Sequence, residues 1–234
     1  MTVLSVESLA AGYRGVRVVR GISFSADAGV IVAVLGANGA GKSTLLNAIA
    51  GVLGVMAGTV RIRGEEVTGQ PAHVRARKGL ALVPQDRGIV RRLTVAENLR
   101  LLPRRAGAAV DAAIELFPAL GPLLSRPAGL LSGGEQQMLA LARVLVLEPP
   151  VLLVDEMSAG LAPQAVERLF GAVRDVAERR RTAVVLVEQH ADLALGIAQR
   201  ALVLRHGEQA MWGTAADVLE HPEVLESTYL GGAR

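Results

Sequence analysis

The chain has 234 residues, 51% of them hydrophobic but only 3% aromatic, enough for one sizeable aliphatic core with or without a small appended lobe. Its 25 basic and 22 acidic residues are interspersed and leave a formal net charge of +3, so no nucleic-acid partner is expected. Cysteine is absent, which excludes disulfides, thiolate metal sites and a cysteine nucleophile. The N-terminus lacks the basic start and apolar core of a signal peptide, and no apolar run approaches the roughly 20 residues that cross a bilayer. A cytoplasmic chain is expected, reaching a membrane only through a partner.

In chain order, residues 3–9, 21–26 and 30–35 read as short strands. The third is apolar throughout, as befits a central strand covered on both faces. It runs directly into Gly36-Ala37-Asn38-Gly39-Ala40-Gly41-Lys42-Ser43-Thr44, which meets the phosphate-loop pattern G-x-x-x-x-G-K-S. Its glycines let main-chain NH groups and the following helix N-terminus approach phosphate oxygens. Lys42 then reaches the β and γ phosphates, and Ser43 offers its hydroxyl to Mg²⁺. Lysine occurs elsewhere only at Lys78.

Strands at 59–63 and 80–83 follow, the second ended by Pro84 and Gln85. The pattern then turns helical, with a capping box at Thr94-Val95-Ala96-Glu97 and helices over 108–117 and 135–147, until Pro149-Pro150. Ser132, Gly133 and Gly134 precede the last of these helices and form a second N-terminus suited to an anion. One nucleotide needs one cradle, so a spare one suggests a second chain docked head to tail.

Beyond residue 150 strand and helix alternate: a strand at 151–155, a helix from 163 to about 179, a strand at 182–187, a helix at 191–198 and a strand at 201–205. The alternation implies a largely parallel sheet with ligands at the strand C-terminal ends, so Asp155, Glu156 and the end of the 182–187 strand should face the phosphate loop. Asp155 and Glu156 are read as adjacent strand residues pointing oppositely, suited to two tasks. Arg179-Arg180-Arg181 is read as a solvated helix end.

With the phosphate loop, Leu131-Ser132-Gly133-Gly134-Glu135-Gln136-Gln137 and Val151-Leu152-Leu153-Val154-Asp155-Glu156 in this order, the chain resembles, over its whole length, the ATPase subunit of an ATP-binding cassette transporter. The resemblance implies a single α/β domain over 1–234: a phosphate-loop NTPase core with a mainly parallel sheet, an N-terminal antiparallel β region and a helical subdomain inserted at about 87–150. It implies ATP and Mg²⁺ as ligands. Tyr13 would stack on adenine with Val18 nearby, while Gly36, Asn38, Gly39, Gly41, Lys42, Ser43 and Thr44 hold the phosphates. Ser43, Gln85 and Asp155 would serve the metal and Glu156 would act as general base. Gln85 would also contact the attacking water and act as a hinge that couples nucleotide state to rotation of the helical lobe beside the membrane-subunit contact. Ser132, Gly133, Gly134, Glu135 and Gln136 would face the opposite chain's nucleotide. Many relatives carry a histidine where this chain has Gln189; Gln189 is favoured as the γ-phosphate contact, with His190 the alternative. Ala162 and Met157 replace a common aspartate and proline.

The stretches 158–163 and 223–232, with Val187-Glu188-Gln189, resemble the branched-chain amino-acid importer subfamily. The implied partners are a second ATPase chain, identical or paralogous, permease subunits and, indirectly, a solute-binding protein, at the cytoplasmic face of the inner membrane. A lipid or glycan exporter ATPase, a soluble non-transport cassette and a nucleotide-binding regulator stay open as alternatives.

Overall fold

The computed structural model describes residues 1–101 and 109–230. Two β-layers dominate it. The first is an antiparallel sheet, order β2-β1-β4-β5, formed by β1 (Thr2–Tyr13), β2 (Val16–Asp27), β4 (Val55–Ile62) and β5 (Glu65–Glu66). The second has the order β10-β9-β3-β8-β7-β6, from β3 (Ile31–Leu35), β6 (Leu80–Val83), β7 (Val151–Asp155), β8 (Ala183–Val187), β9 (Arg200–Arg205) and β10 (Glu208–Thr214). All its pairs are parallel except the β9–β10 edge.

All five residues of β3, β7 and β8 are buried, so these strands sit mid-sheet with both faces covered. The two faces feed two cores. Val32 and Val34 join Leu45, Leu46 and Ile49 of helix α1 (Lys42–Ala50) and Leu4, Leu9 and Ile22 of the antiparallel sheet. Ile31, Ala33 and Leu35 face the other way. They join Leu139 of α5 (Gly133–Leu145) and Leu169 and Val173 of α6 (Pro163–Arg180). The helix α1 is thus sandwiched between the sheets, and the loop at its head lies where they meet.

Several elements exceed the sequence reading. The strands β1 and β2 run longer than 3–9 and 21–26, because register shifts such as that between Leu9 and Ala11 break the alternation that marks a strand. Tyr13 therefore ends β1 instead of lying in the turn beyond it. The helix α2 (Ala72–Arg77), β10 and the helices α8 (Ala215–Leu219) and α9 (Pro222–Leu230) were not read from the sequence. The strand β10 closes one edge, with Trp212 5.9 Å from Phe24 and the Arg200 guanidinium 4.4 Å above its ring. Helix α7 (Ala191–Leu195) is shorter than the 191–198 expected.

Between β6 and β7 lie α3 (Val95–Arg100), α4 (Ala109–Leu116), two short 3-10 turns and α5. The Thr94 box is present: Thr94 Oγ1 accepts from Glu97 N at 3.2 Å and Glu97 Oε2 from Thr94 N at 2.8 Å. The expected helix start at Ala108 lies outside the described residues, as do Gly231 and Gly232 of the C-terminal stretch. Arg180 pairs with Glu148 at the end of α6, where Arg181 takes a left-handed φ of 57° and closes the helix. Among the described residues, no helix is long and apolar enough to cross a membrane.

Candidate functional site

The sharp turn from β3 into α1 is possible because of two glycines. A Cβ on Gly36 would sit 2.5 Å from Leu204 O, and one on Gly41, whose φ is 98°, would sit 2.6 Å from Val19 Cγ1. Gly41 occupies the N-cap of α1 without any side-chain cap, leaving first-turn NH groups for an external anion. Behind the loop, Gly207 N donates to Ala40 O at 3.2 Å and Arg20 N to Gly207 O at 2.8 Å, pinning it to both sheets.

The loop forms one wall of a cleft of about 240 Å³. Asn38, Gly39, Gly41, Lys42, Ser43 and Thr44 line it together with Tyr13, Val18 and Glu156. Tyr13 is 51% exposed, its ring free to stack on a planar base. Gly36 sits at the loop's buried base and is not part of the lining.

Lys42 is buried and parked on the loop itself, Nζ donating to Gly36 O at 2.7 Å and Ala37 O at 3.2 Å. Burial lowers its pKa, opposed by the carboxylates of Glu156, Asp155 and Glu188. An ammonium held by carbonyls and short of solvent is poised for a polyanion. Ser43 Oγ donates to Asp155 Oδ1 at 3.2 Å, and burial raises the Asp155 pKa. A buried carboxylate beside a neutral hydroxyl fits a hard cation. Among the described residues no cluster of three His, Cys, Asp or Glu could hold a metal alone. The Ser43 hydroxyl beside the Asp155 carboxylate suits Mg²⁺, which takes one or two carboxylates and completes its shell with water and substrate phosphates.

Asp155 closes β7 and pairs with Val187 in the sheet, but Glu156 lies past the strand with a left-handed φ of 48°. The expected pair of strand residues pointing oppositely is thus replaced by a strand end and a strained turn residue. Strain of this kind persists where surrounding bonds over-determine it. Here Glu156 N donates to Val187 O at 3.0 Å. Glu156 Oε2 accepts from Gln85 Nε2 at 2.8 Å and from Gln189 Nε2 at 2.9 Å, while Oε1 lies 4.0 Å from Lys42 Nζ. Gln85 and Gln189 therefore meet on one carboxylate oxygen, whereas His190 is exposed at the N-cap of α7 and makes no side-chain cap bond.

Nothing in the sequence pattern singles out Glu188 beyond its place in Val187-Glu188-Gln189. It is 1% exposed; its Oε1 accepts from Ser158 N at 3.1 Å and its Oε2 from Ser158 Oγ at 2.6 Å, tying the segment after Glu156 to the end of β8. Burial pushes its pKa up. The folded chain thus holds this proton more tightly than the unfolded one, so its contribution to stability falls as pH rises from the ordinary glutamate value, about 4.3, through the elevated one. Glu188→Gln abolishes that dependence. Thermal unfolding should show the variant a few degrees above the native chain at pH 8, at about 2–4 °C per kcal/mol for this size, with the gap closing toward pH 5. A gap that does not change with pH would refute the assignment.

The second helix N-terminus lies elsewhere. Ser132 caps α5, Oγ accepting from Glu135 N at 3.3 Å, and Glu135 Oε2 accepts from Ser132 N at 2.7 Å. The helix begins at Gly133, two residues before the start expected near Glu135. Ser132 is exposed, Gly133 and Gly134 are half-buried against Leu161 and Ala165, and Gln136 is buried. None of the five lines the phosphate-loop cleft.

The family profile described as ABC transporter matches residues 19–159. The high-affinity branched-chain amino acid transport ATP-binding protein BraG of Pseudomonas aeruginosa is 40% identical over 234 residues, covering 98% of this chain and all of that one. A probable branched-chain amino acid transport ATP-binding protein, LivF of Archaeoglobus fulgidus, is 38% identical over 97% of this chain and 98% of its own. The lipopolysaccharide export system ATP-binding protein LptB of Haemophilus influenzae is 32% identical over 99% and 98%. Among solved structures, the ADP conformation of MJ1267, an ATP-binding cassette of an ABC transporter, superposes with a TM-score of 0.84 at 25% identity, covering 97% of this chain and 98% of that one.

Proposed function

The chain belongs to the ABC transporter family, and we propose that it is the ATP-hydrolysing motor of an importer for branched-chain or other hydrophobic amino acids. The observation that carries the motor reading is the separation of two anion cradles. The phosphate-loop cleft, with the uncapped head of α1, contains no signature residue, while Ser132 at the head of α5 is exposed. Two chains docked head to tail bring each phosphate loop against the other's Ser132, Gly133 and Gly134, with ATP between them. The identities of 38–40% to ATP-binding proteins named for branched-chain amino acid transport, against 32% to those named for lipopolysaccharide export, favour import of amino acids.

In this reading Tyr13 and Val18 seat the adenine, while Gly36 through Thr44 and Lys42 hold the phosphates. Ser43, Asp155 and Gln85 would hold Mg²⁺, which supplies charge neutralisation at the β and γ oxygens. Glu156 orients the attacking water. Gln189, bonded to Glu156, would make the γ-phosphate contact. The helical subdomain, about 87–150, turns as a lobe on the 1–234 domain as the pair closes, and that turn moves a permease on the cytoplasmic face of the membrane.

The test is turnover in proteoliposomes holding the chain with its copurifying permease. Stimulation of ATP hydrolysis at least severalfold by a leucine-, isoleucine- or valine-loaded binding protein is the expected outcome. Stimulation by lipid or glycan instead, or copurification with ribosomes in place of a permease, would overturn the importer reading.

A further inference from the structure

Three side chains fasten the segment that follows Gln85 to the helical region. Arg87 Nη1 donates to Gln136 Oε1 at 2.6 Å and its Nε to Gln137 Oε1 at 3.2 Å. Arg143 Nη1 donates to Gly88 O at 2.5 Å. The Asn98 amide accepts from Val90 N at 2.8 Å and donates to Val90 O, Leu93 O and Thr94 O at 3.0–3.2 Å. From Arg87 to Thr94 the backbone therefore travels with α3 and α5. Two residues earlier, Gln85 is bonded to Glu156 in the nucleotide cleft. Any change of angle between cleft and helices is confined on this side to Pro84, Gln85 and Asp86, between the end of β6 and Arg87.

Arg87 is the first residue past that short hinge. Its backbone is held left-handed at φ 68°, which a non-glycine residue adopts only under constraint, and its N donates to Pro84 O at 2.9 Å. The guanidinium's partner is equally constrained. Gln136, 7% exposed, donates through Nε2 to Ala128 O at 3.2 Å and Leu131 O at 3.1 Å, which turns its Oε1 toward Arg87. Leu131 directly precedes Ser132, so the same amide fixes the backbone that leads into the exposed cradle at the head of α5.

We propose that Arg87 is a positioning residue for hydrolysis at the opposite nucleotide, acting through its bond to Gln136 to set the angle of the Ser132–Gly134 cradle from the position of Gln85. The inference rests on the two-chain reading above. A strand-end glutamine bonded to Glu156 senses the state of one cleft, and the charge-assisted bond from Arg87 delivers that state to the helix that completes the other. Arg87→Lys retains the charge, but one ammonium cannot present the fork that spans both glutamine oxygens.

The experiment compares the native chain, Arg87→Met, Gln136→Met, the double variant and Arg87→Lys. Pairing is measured by sedimentation against the concentration of β,γ-imido-ATP with Mg²⁺, and nucleotide binding to the unpaired chain by a fluorescent ATP analogue at low protein concentration. Arg87→Met is expected to need at least about tenfold more nucleotide for half-maximal pairing, since both guanidinium bonds to glutamine oxygens are lost and one alone is worth about that factor, with single-chain binding unchanged. Gln136→Met also loses the bonds to Ala128 O and Leu131 O and should shift further than Arg87→Met. The double variant should fall short of the sum of the two single shifts, and Arg87→Lys should fall between Arg87→Met and native. Additive shifts, or a pairing midpoint at the native value, would overturn the latch while native pairing left the two-chain reading intact. A fall in single-chain binding equal to the pairing shift would show a merely structural arginine. Failure of the native chain itself to pair would overturn the two-chain reading and the latch together.

Discussion

Replacing Glu156 by glutamine is expected to lower ATP turnover about 10²–10³-fold while leaving ATP binding in place, the scale of losing a positioned general base. The geometry explains why one substitution separates the two properties. Glu156 Oε2 accepts from Gln85 Nε2 and Gln189 Nε2, and an amide oxygen in the same place accepts both. The left-handed backbone at φ 48° is held by the bond from Glu156 N to Val187 O, which does not involve the side chain. The cleft therefore keeps its shape. What disappears is the carboxylate's ability to take a proton from water at the moment of attack. With both nucleotides trapped and uncleaved, a long-lived pair of chains should accumulate at saturating Mg²⁺-ATP and be visible by sedimentation. Turnover within threefold of native would remove Glu156 from the chemistry, and an exclusively monomeric variant would remove the two-chain sandwich.

How much of this was legible in the sequence depends on the range over which each contact acts. The phosphate loop could be read because its requirements are local: a buried strand, two glycines that tolerate no Cβ, and a lysine and serine at the head of a helix. Strands β3, β7 and β8 were equally plain, since a run of four or five buried aliphatic residues has few other uses. The strand β10, Glu208-Gln209-Ala210-Met211-Trp212-Gly213-Thr214, was missed because its sequence alternates weakly. It earns its place at the edge through Trp212 against Phe24 and through Gln209, whose Oε1 accepts from Ser23 N at 3.0 Å. The cap of α8 was legible in principle, as Thr214 and Asp217 form a capping box, but it sits on a helix of only five residues. Nothing local announces that Glu156 turns left-handed. Nor does spacing show that Glu188 reaches Ser158 across 30 residues or that Arg87 reaches Gln136 across 49. Those partners are set by which strands lie side by side and how the helices pack on them, and a single sequence holds that information only diffusely.

Mixing two inactive variants should restore activity. Lys42→Ala removes the ammonium, now on Gly36 O and Ala37 O, that the proposed motor uses to meet the phosphates, and turnover should fall about 10²-fold or more. Gly133→Asp should cause a loss of similar size for a different reason. It sets a carboxylate at the head of α5, where the helix would otherwise receive the second chain's phosphate, and a Cβ there already lies 3.2 Å from Leu161 Cδ2. Because Gly133 is absent from the lining of the phosphate-loop cleft, the Gly133→Asp chain should bind ATP alone as the native chain does. A head-to-tail pair made from one copy of each carries one site with an intact phosphate loop and an intact signature, and one site damaged in both. Random pairing makes about half of all dimers mixed, so an equal mixture should reach about a quarter of native turnover, far above either variant alone. The recovery should vanish on dilution below the pairing concentration. If the mixture performed no better than the average of its components, each chain would have to complete its site unaided, and the exposed Ser132 at the head of α5 would be a helix cap and nothing more.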